Sequence, residues 1–209
     1  SIKSNKDKVI YQVGNLISFE YRQRADDNLG QIYYVDLVRS YLSSVIFDSF
    51  KMNCASSLFS IINVNFLEKD NQEILFEKLH NFLQKIVLDE VSCDEILSDY
   101  IKLELKILKV LGYGLDLSVC AVTNSKTNLA FVSPKSARAV CFEVGLPYQN
   151  KLLKLPKFLV QEDADKTKDC LRNGLNLSGF FLQKFLYEEK SVDHNFLFRR
   201  KTLEAALAI

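Results

Sequence analysis

The sequence predicts an α+β protein, with a short antiparallel β region followed by a mainly helical region. Residues 16–22 alternate between apolar and polar side chains, and residues 31–38 repeat this two-residue period of half-buried strands. Turn-forming residues at 25–30 can join the two strands in a hairpin. Beyond residue 41 the apolar residues recur at helical spacing, and only seven glycines and three prolines interrupt the 209 residues, which favours helices.

Two amphipathic helices are predicted in the middle of the chain. The second begins at Asp94 and ends before Gly112, because glycine adopts the left-handed conformation common just beyond a helix end. Further helices are predicted over 165–188 and from Asp193 or Asn195 onward, and 115–160 is predicted to be irregular except for a strand at 129–132. The first helix spans 72–89, with Asn71 as its cap and a buried stripe formed by Ile74, Leu75, Leu79, Phe82, Leu83, Ile86 and Val87.

Charge and cysteine content narrow the class of protein. The net charge is +1; residues 68–104 carry ten acidic against four basic residues, and 133–157 carry five basic against one acidic. Taken alone, each charged region is best explained as a solvated surface. The five cysteines are widely spaced and no apolar run is long enough to cross a membrane, so we expect a reduced, cytoplasmic protein without membrane partners. Because the chain begins at Ser1 without methionine, we expect a fragment or a processed form.

The sequence carries no catalytic motif and an incomplete set of metal ligands. No nucleophile elbow, phosphate loop or metalloprotease motif occurs, so we expect that the protein is not an enzyme. Cys120 and Cys141 are spaced like the first members of two Cys-x-x-Cys turns, but Thr123 and Val144 occupy the second positions. A structural zinc site takes four nitrogen or sulfur ligands, so we expect no metal and no other cofactor. The two thiols are then expected to pack as small apolar side chains.

Two further patterns indicate binding surfaces. Basic and aromatic residues alternate near the N-terminus, a composition that suits single-stranded nucleic acid, and the predicted DNA-binding residues are Lys3, Lys6, Lys8, Tyr21, Arg22 and Arg24. A solvated strand explains them about as well, because Glu20, Asp26 and Asp27 lie close by. The helices at 72–89 and 95–111 can also leave a groove for an apolar peptide tail, with Lys102 or Lys106 at its rim to meet a carboxylate. The alternative is that their apolar stripes pack fully against each other.

Several segments, in a fixed order, resemble a known family. An apolar helix at 103–111 runs into Gly112-Tyr113-Gly114, and these segments are followed in order by Cys120, residues 132–136, Cys141, residues 145–148 and residues 153–156. This order resembles the RecO family of bacterial recombination mediators, in particular its alphaproteobacterial branch. Upstream, residues 3–6 and 13–16 are similar to the basic loop of the family's N-terminal domain and the segment that follows it.

The resemblance implies a fold and a set of partners. It implies an oligonucleotide-binding (OB) fold in residues 1–40, truncated at its start, and a helical domain in residues 41–209 with a degenerate zinc-finger-like insertion at about 115–160. Members bind single- and double-stranded DNA, anneal complementary strands, bind the acidic C-terminal tail of single-strand binding protein (SSB), and with RecR help to load RecA. In the family helix that holds this tail, a basic residue precedes an aromatic residue and a glutamate. Here Lys102 precedes Leu103 and Glu104, so Lys102, with Lys106, is the candidate for the tail's carboxylate.

The sequence therefore supports one leading hypothesis and two rivals. The first is a non-catalytic mediator of DNA repair and homologous recombination. The second is a helical adaptor that has lost DNA binding and recognises only peptides such as the SSB tail. The third is a metalloenzyme, which analysis of the pure protein for stoichiometric zinc would test.

Overall fold

The computed structural model describes residues 5–22, 30–67, 71–161 and 163–187, together with Arg200 and Leu203. They form helices and two small antiparallel sheets, which agrees with the predicted mixture of helix and strand. The helices are α1 (Asn5–Ile10), α2 (Tyr41–Ser44), α3 (Ser49–Asn65), α4 (Glu73–Ile86), α5 (Cys93–Val110), α6 (Phe142–Gly145) and α7 (Lys168–Leu182). The strands are β1 (Asn15–Arg22), β2 (Gln31–Ser40), β3 (Leu129–Val132), β4 (Ala139–Cys141) and β5 (Leu153–Lys154).

Strands β1 and β2 form the predicted antiparallel pair. Asn15 lies opposite Ser40 and Arg22 opposite Gln31, with two register shifts between these ends. Strand β2 ends at Ser40 and α2 follows directly, at the position of the predicted domain division. The division itself and the OB-fold stay predictions, since the sheet that the structure describes here has two strands.

The helix boundaries follow local capping chemistry. Helix α5 begins one residue before Asp94, because the Ser92 hydroxyl accepts a hydrogen bond from the Glu95 N–H at 3.3 Å and so caps the helix. Its end agrees with the prediction, since Gly112 has a φ of +89° just beyond the C-terminus. The prediction of Asn71 as the cap of α4 was wrong by one residue, because Gln72 occupies the cap position. The Asn71 side chain still accepts a hydrogen bond from the Glu73 N–H at 3.3 Å, just ahead of the helix.

The core lies between α3, α4, α5 and α7. One predicted member was wrong: Ile74 is 60% exposed, because it lies in the first turn of α4 and its neighbour Leu75 faces the core instead. The fully buried side chains of this core include Leu58, Ile61, Ile86, Ile96, Leu97, Tyr100, Ile101, Ile107, Leu171, Leu175 and Phe181. Such burial of apolar surface is the main stabilising term of the fold.

Residues 115–160, here called the cysteine lobe, are more regular than predicted. The strand at 129–132 is confirmed as β3, and it lies between β4 and β5 in a three-stranded antiparallel sheet. The prediction missed β4 and β5 because strands of two or three residues are too short to show a period. A small second core of Cys120, Phe131, Val140 and Cys141 holds the lobe together.

The predicted helix over 165–188 is present as α7, which starts at Lys168 because the Thr167 hydroxyl accepts from the Cys170 N–H at 3.3 Å. A π-helical turn, Gln183–Tyr187, continues it. The predicted start of a last helix at Asp193 or Asn195 lies outside the described residues. Farther along, Arg200 and Leu203 have a helical backbone conformation, and both residues are buried.

Candidate partner-binding groove and nucleic-acid surface

Helices α4 and α5 pack together but leave an open groove of about 410 Å³ along their outer side. The apolar floor consists of Phe82 and Leu103, both of which are almost fully buried in the core below. The polar rim consists of Lys78, Asn81 and Lys85 from α4 and Asp99, Lys102 and Lys106 from α5. Lys85 is neutralised at the rim, because its Nζ lies 2.7 Å from the Asp99 carboxylate.

A second groove of about 240 Å³ lies on the other side of the same lysines. Its apolar wall is formed by Leu105 from α5, Leu115 and Leu117 from the start of the cysteine lobe, and Leu159. Its cations are Lys102, Lys106 and Lys109. Lys102 and Lys106 thus line both grooves, and we call Lys102, Lys106 and Lys109 the lysine ridge.

The lysine ridge is positively charged because its cations are not neutralised locally. Lys102 and Lys109 are exposed and Lys106 is half-buried, and none of the three is in an ion pair with another residue of the described ranges. A cation that lies beside apolar surface attracts a carboxylate on a ligand that also carries an apolar group. The arrangement therefore suits an extended acidic peptide with an apolar side chain near its end.

A buried polar network beneath the ridge holds α5 in place. Glu104, fully buried, accepts hydrogen bonds from the Tyr100 hydroxyl at 2.6 Å and the Ser178 hydroxyl at 2.5 Å, and it forms an ion pair with Arg200. The Tyr100 oxygen also lies 2.9 Å from the Ser57 hydroxyl oxygen. Burial first, and then the Glu104 carboxylate, raise the pKa of Tyr100 well above its usual value. The network ties α5 to α3, α7 and Arg200.

The sequence patterns did not predict this network, and the network changes the interpretation of Glu104, a residue of the predicted tail-binding motif. Glu104 follows the tail-binding pattern of the resemblance, yet its carboxylate points into the protein and is not available to a peptide. Leu103, in the place of the family's aromatic residue, lines the first groove. Lys102, Lys106 and Lys109 are spaced as i, i+4 and i+7, which places them on one face of a helix. The lysine ridge could therefore have been predicted from this spacing.

The structure brings together only part of the predicted DNA-binding set. Lys3 and Arg24 lie outside the described residues, and for Lys6, in α1, only the backbone is described. Lys8 is exposed in the last turn of α1, which contacts β2. Tyr21 and Arg22 are adjacent and exposed at the end of β1.

Acidic groups already engage the cation on this hairpin. The Arg22 guanidinium lies 3.5 Å from the Glu20 carboxylate and 5.0 Å from the centre of the Tyr33 ring. In the sheet, Glu20 pairs with Tyr34, and a hydrogen bond to Asp36 is the largest of the effects that raise the pKa of the Tyr34 hydroxyl. Two acidic residues, Glu20 and Asp36, therefore lie on the same face of the hairpin as Arg22.

The two predicted zinc-motif remnants do meet in space. The Cys120 and Cys141 sulfurs lie 3.5 Å apart in the core of the cysteine lobe, and the Thr123 hydroxyl oxygen lies 3.8 Å from the Cys141 sulfur. Two sulfur donors beside a hydroxyl do not fit a zinc ion that takes four nitrogen or sulfur ligands. No cluster of three or more histidine, cysteine, aspartate or glutamate side chains suitable for a metal occurs among the described residues.

Comparison with known proteins decides the family. The model of the recombination protein O C-terminal region matches residues 46–190. The chain belongs to the RecO family. It is 39% identical over 184 residues to the DNA repair protein RecO of Rickettsia akari, which covers 88% of this chain and 75% of that protein. The DNA repair protein RecO of Rickettsia bellii is 38% identical over the same share of this chain and 74% of its own length.

Family membership confirms the recognition made from the motif order and gives the chain a role in DNA repair and recombination. RecO proteins are named for DNA repair and for no catalysed reaction, which agrees with the expectation that this chain is not an enzyme. Within the described ranges, every helix is too short or too polar to span a lipid bilayer.

Proposed function

We propose that this RecO-family chain binds the acidic C-terminal tail of SSB in the grooves beside the lysine ridge. The main support for this proposal is the position of Lys102 and Lys106 between two grooves with apolar walls. Neither lysine forms an ion pair with another described residue. In this arrangement the tail's terminal carboxylate meets the ridge, and an apolar side chain of the tail lies on Phe82 and Leu103.

We further propose that the chain binds single- and double-stranded DNA, anneals complementary strands, and acts with RecR to load RecA in the cytoplasm. Family membership supports these activities, and the exposed pair Tyr21 and Arg22 on β1 supplies an aromatic ring and a cation of the type that hold single strands. Lys3, Lys6, Lys8 and Arg24 complete the proposed DNA-binding set. The five widely spaced cysteines of the sequence fit a reducing compartment.

The tail-binding proposal is tested by fluorescence anisotropy with a labelled peptide of the SSB tail. Lys102→Glu and Lys106→Glu should each weaken binding by roughly tenfold, because each replaces an attraction by a repulsion near a carboxylate. Lys126→Glu is the matched control, since Lys126 is exposed in the cysteine lobe and lines neither groove. A peptide with an amidated C-terminus should also bind more weakly. Equal affinity for all three variants removes the ridge from the site.

The rival function is a peptide-binding adaptor that has lost DNA binding, and the engagement of Arg22 by Glu20 favours it. Anisotropy with labelled oligonucleotides across a salt series separates the two. Electrostatic binding to single strands should weaken with a log–log slope of about −0.7 per phosphate neutralised. Peptide binding without oligonucleotide binding at low salt establishes the adaptor.

A further inference from the structure

The cysteine lobe holds two thiols in near contact that the proposed function does not use. Cys120 and Cys141 are 21 residues apart in sequence, and their Sγ atoms lie 3.5 Å apart. Both cysteines are free and almost completely buried. Of the other cysteines, Cys54 is buried in the helical core, Cys93 is exposed and Cys170 is half-buried.

The backbone on both sides fixes this contact. The Ala121 N–H donates to the Ala139 carbonyl at 2.7 Å, and the Cys141 N–H donates to the Cys120 sulfur at 3.3 Å. Asp116, in the preceding segment, is tied in the same way, because its N–H donates to the Ala137 carbonyl and its carbonyl accepts from the Ala139 N–H. The segment that carries Cys120 therefore runs alongside the one that carries Cys141.

We propose that Cys120 and Cys141 form a reversible intramolecular disulfide when a peroxide oxidises the protein. The Cys120 thiolate attacks one oxygen of hydrogen peroxide, the O–O bond breaks, and the released hydroxide takes up a proton to become water. Cys120 is then a sulfenic acid. The Cys141 sulfur attacks the Cys120 sulfur, the S–S bond forms, the S–O bond breaks, and the oxygen leaves as a second water with the thiol proton. Two thiols lose two electrons and one peroxide gains them.

The geometry requires little movement for this step. A disulfide bond is about 2.05 Å long, so the sulfurs need to approach each other by about 1.5 Å, a shift within reach of side-chain rotation. Val122, two residues after Cys120, is 66% exposed, so the chain next to Cys120 lies at the surface, and peroxide is close to water in size. The two sulfurs are thus in near contact, and peroxide reaches them when the chain around Val122 opens locally.

Hydrogen bonds to sulfur prepare Cys120 for the first attack. Burial opposes ionisation, but hydrogen bonds from the Thr123 hydroxyl and from the backbone N–H groups of Thr123, Cys141 and Val122 outweigh it and lower the pKa of the Cys120 thiol to about 6. Burial instead raises the pKa of the Cys54 thiol. Because the thiolate is the reacting form, oxidation should begin at Cys120 and slow as the pH falls from 7 to below 6.

Tryptic mapping of the full chain tests the proposal. Cleavage at Lys109, Lys126, Arg138 and Lys151 releases peptides 110–126 and 139–151, each with one cysteine. After treatment with hydrogen peroxide and blocking of remaining thiols, these peptides should appear as one linked species, and dithiothreitol should separate them. Cys93→Ser should leave this linkage intact, and Cys120→Ser should abolish it.

Other results overturn the proposal. If peroxide modifies Cys93 while 110–126 and 139–151 stay unlinked, or if either peptide links to Cys93 or Cys170, the pair is not a disulfide site. Mapping of the unmodified chain alone decides this, even where a serine variant fails to fold. A second measurement is thermal unfolding: the oxidised protein should melt at a higher temperature than the reduced one, because the new bond closes a loop in the unfolded chain. An unchanged or lower melting temperature in protein shown to be linked contradicts the fit of the bond to the native lobe.

Discussion

The lysine ridge and the β1–β2 hairpin both carry exposed cations, but they differ in what surrounds these cations. Behind the ridge, α5 is held by the core and by the buried Glu104 network, and Lys102 and Lys106 stand beside apolar walls. On the hairpin, Arg22 is paired with Glu20, and apolar side chains such as Phe19 and Tyr34 are more than half exposed.

This difference indicates how each surface can bind. A rigid surface with unneutralised cations loses little conformational entropy on binding, so it suits one defined ligand such as a peptide end. A hairpin with exposed rings and partly neutralised cations suits a polyanion that many weak contacts hold. The following predictions test the contrast.

The largest effect is expected from Glu104→Gln. The change removes the buried negative charge opposite Arg200 and weakens the hydrogen bonds from Tyr100 and Ser178, so the free energy of unfolding should fall by about 3 kcal/mol. Urea unfolding followed by circular dichroism measures it. Glu77→Gln, the same change at an exposed position of α4, should have little effect. If the two variants are equally stable, the network does not hold α5 under the ridge.

Gly112→Ala should have the next largest effect. Gly112 has a φ of +89°, and a methyl group there meets no atom within 4 Å, so the cost comes from the backbone alone and should be roughly 1 kcal/mol. Gly112→Asn is the matched control, because asparagine tolerates the left-handed region better than alanine. A larger loss for asparagine than for alanine contradicts this explanation.

Local patterns in the sequence predicted most of the helical body. The periodic stripes located α4 and α5, glycine marked the end of α5, and a groove between the two helices was predicted with Lys102 or Lys106 at its rim. The buried pair of Glu104 and Arg200 was not predictable in this way, because its members lie 96 residues apart and a lone glutamate in a helix is usually exposed.

The cysteine lobe shows the same limit at shorter range. Its strands are too short for a periodic signal, and only the fold shows that the Cys120 and Cys141 sulfurs lie 3.5 Å apart. The hairpin, in contrast, was predicted from its alternation of apolar and polar residues. The contacts of Arg22 with Glu20 and Tyr33 were not predicted, because a pattern of residue types does not fix which side chains touch.

Arg22→Ala sharpens the functional side of the comparison. If the hairpin binds single-stranded DNA, this variant should lose a few-fold in affinity and about 0.7 in the log–log salt slope, because one phosphate contact is removed. SSB-tail affinity should stay the same. Arg172→Ala is the matched control, as Arg172 is an arginine on α7 in an ion pair with Asp169. If Lys102→Glu lowers the DNA salt slope as much as Arg22→Ala does, the two surfaces act as one.

The smallest effect concerns the wall of the second groove, where Asp116 lies between Leu115 and Leu117. Hydrogen bonds from the Ser118 hydroxyl at 2.6 Å and its backbone N–H at 3.2 Å, then from Arg138 at 3.3 Å, lower the pKa of the Asp116 carboxyl below its usual value. A carboxyl with a lower pKa in the folded state stabilises the fold above its unfolded pKa of about 3.9 and loses that contribution as the pH falls through the folded pKa. Asp116→Asn should therefore melt slightly below the unmodified protein at pH 7, and the gap should close below about pH 4. The exposed Asp89→Asn serves as control, and a gap that persists at low pH means that the charge of Asp116 does not stabilise this wall.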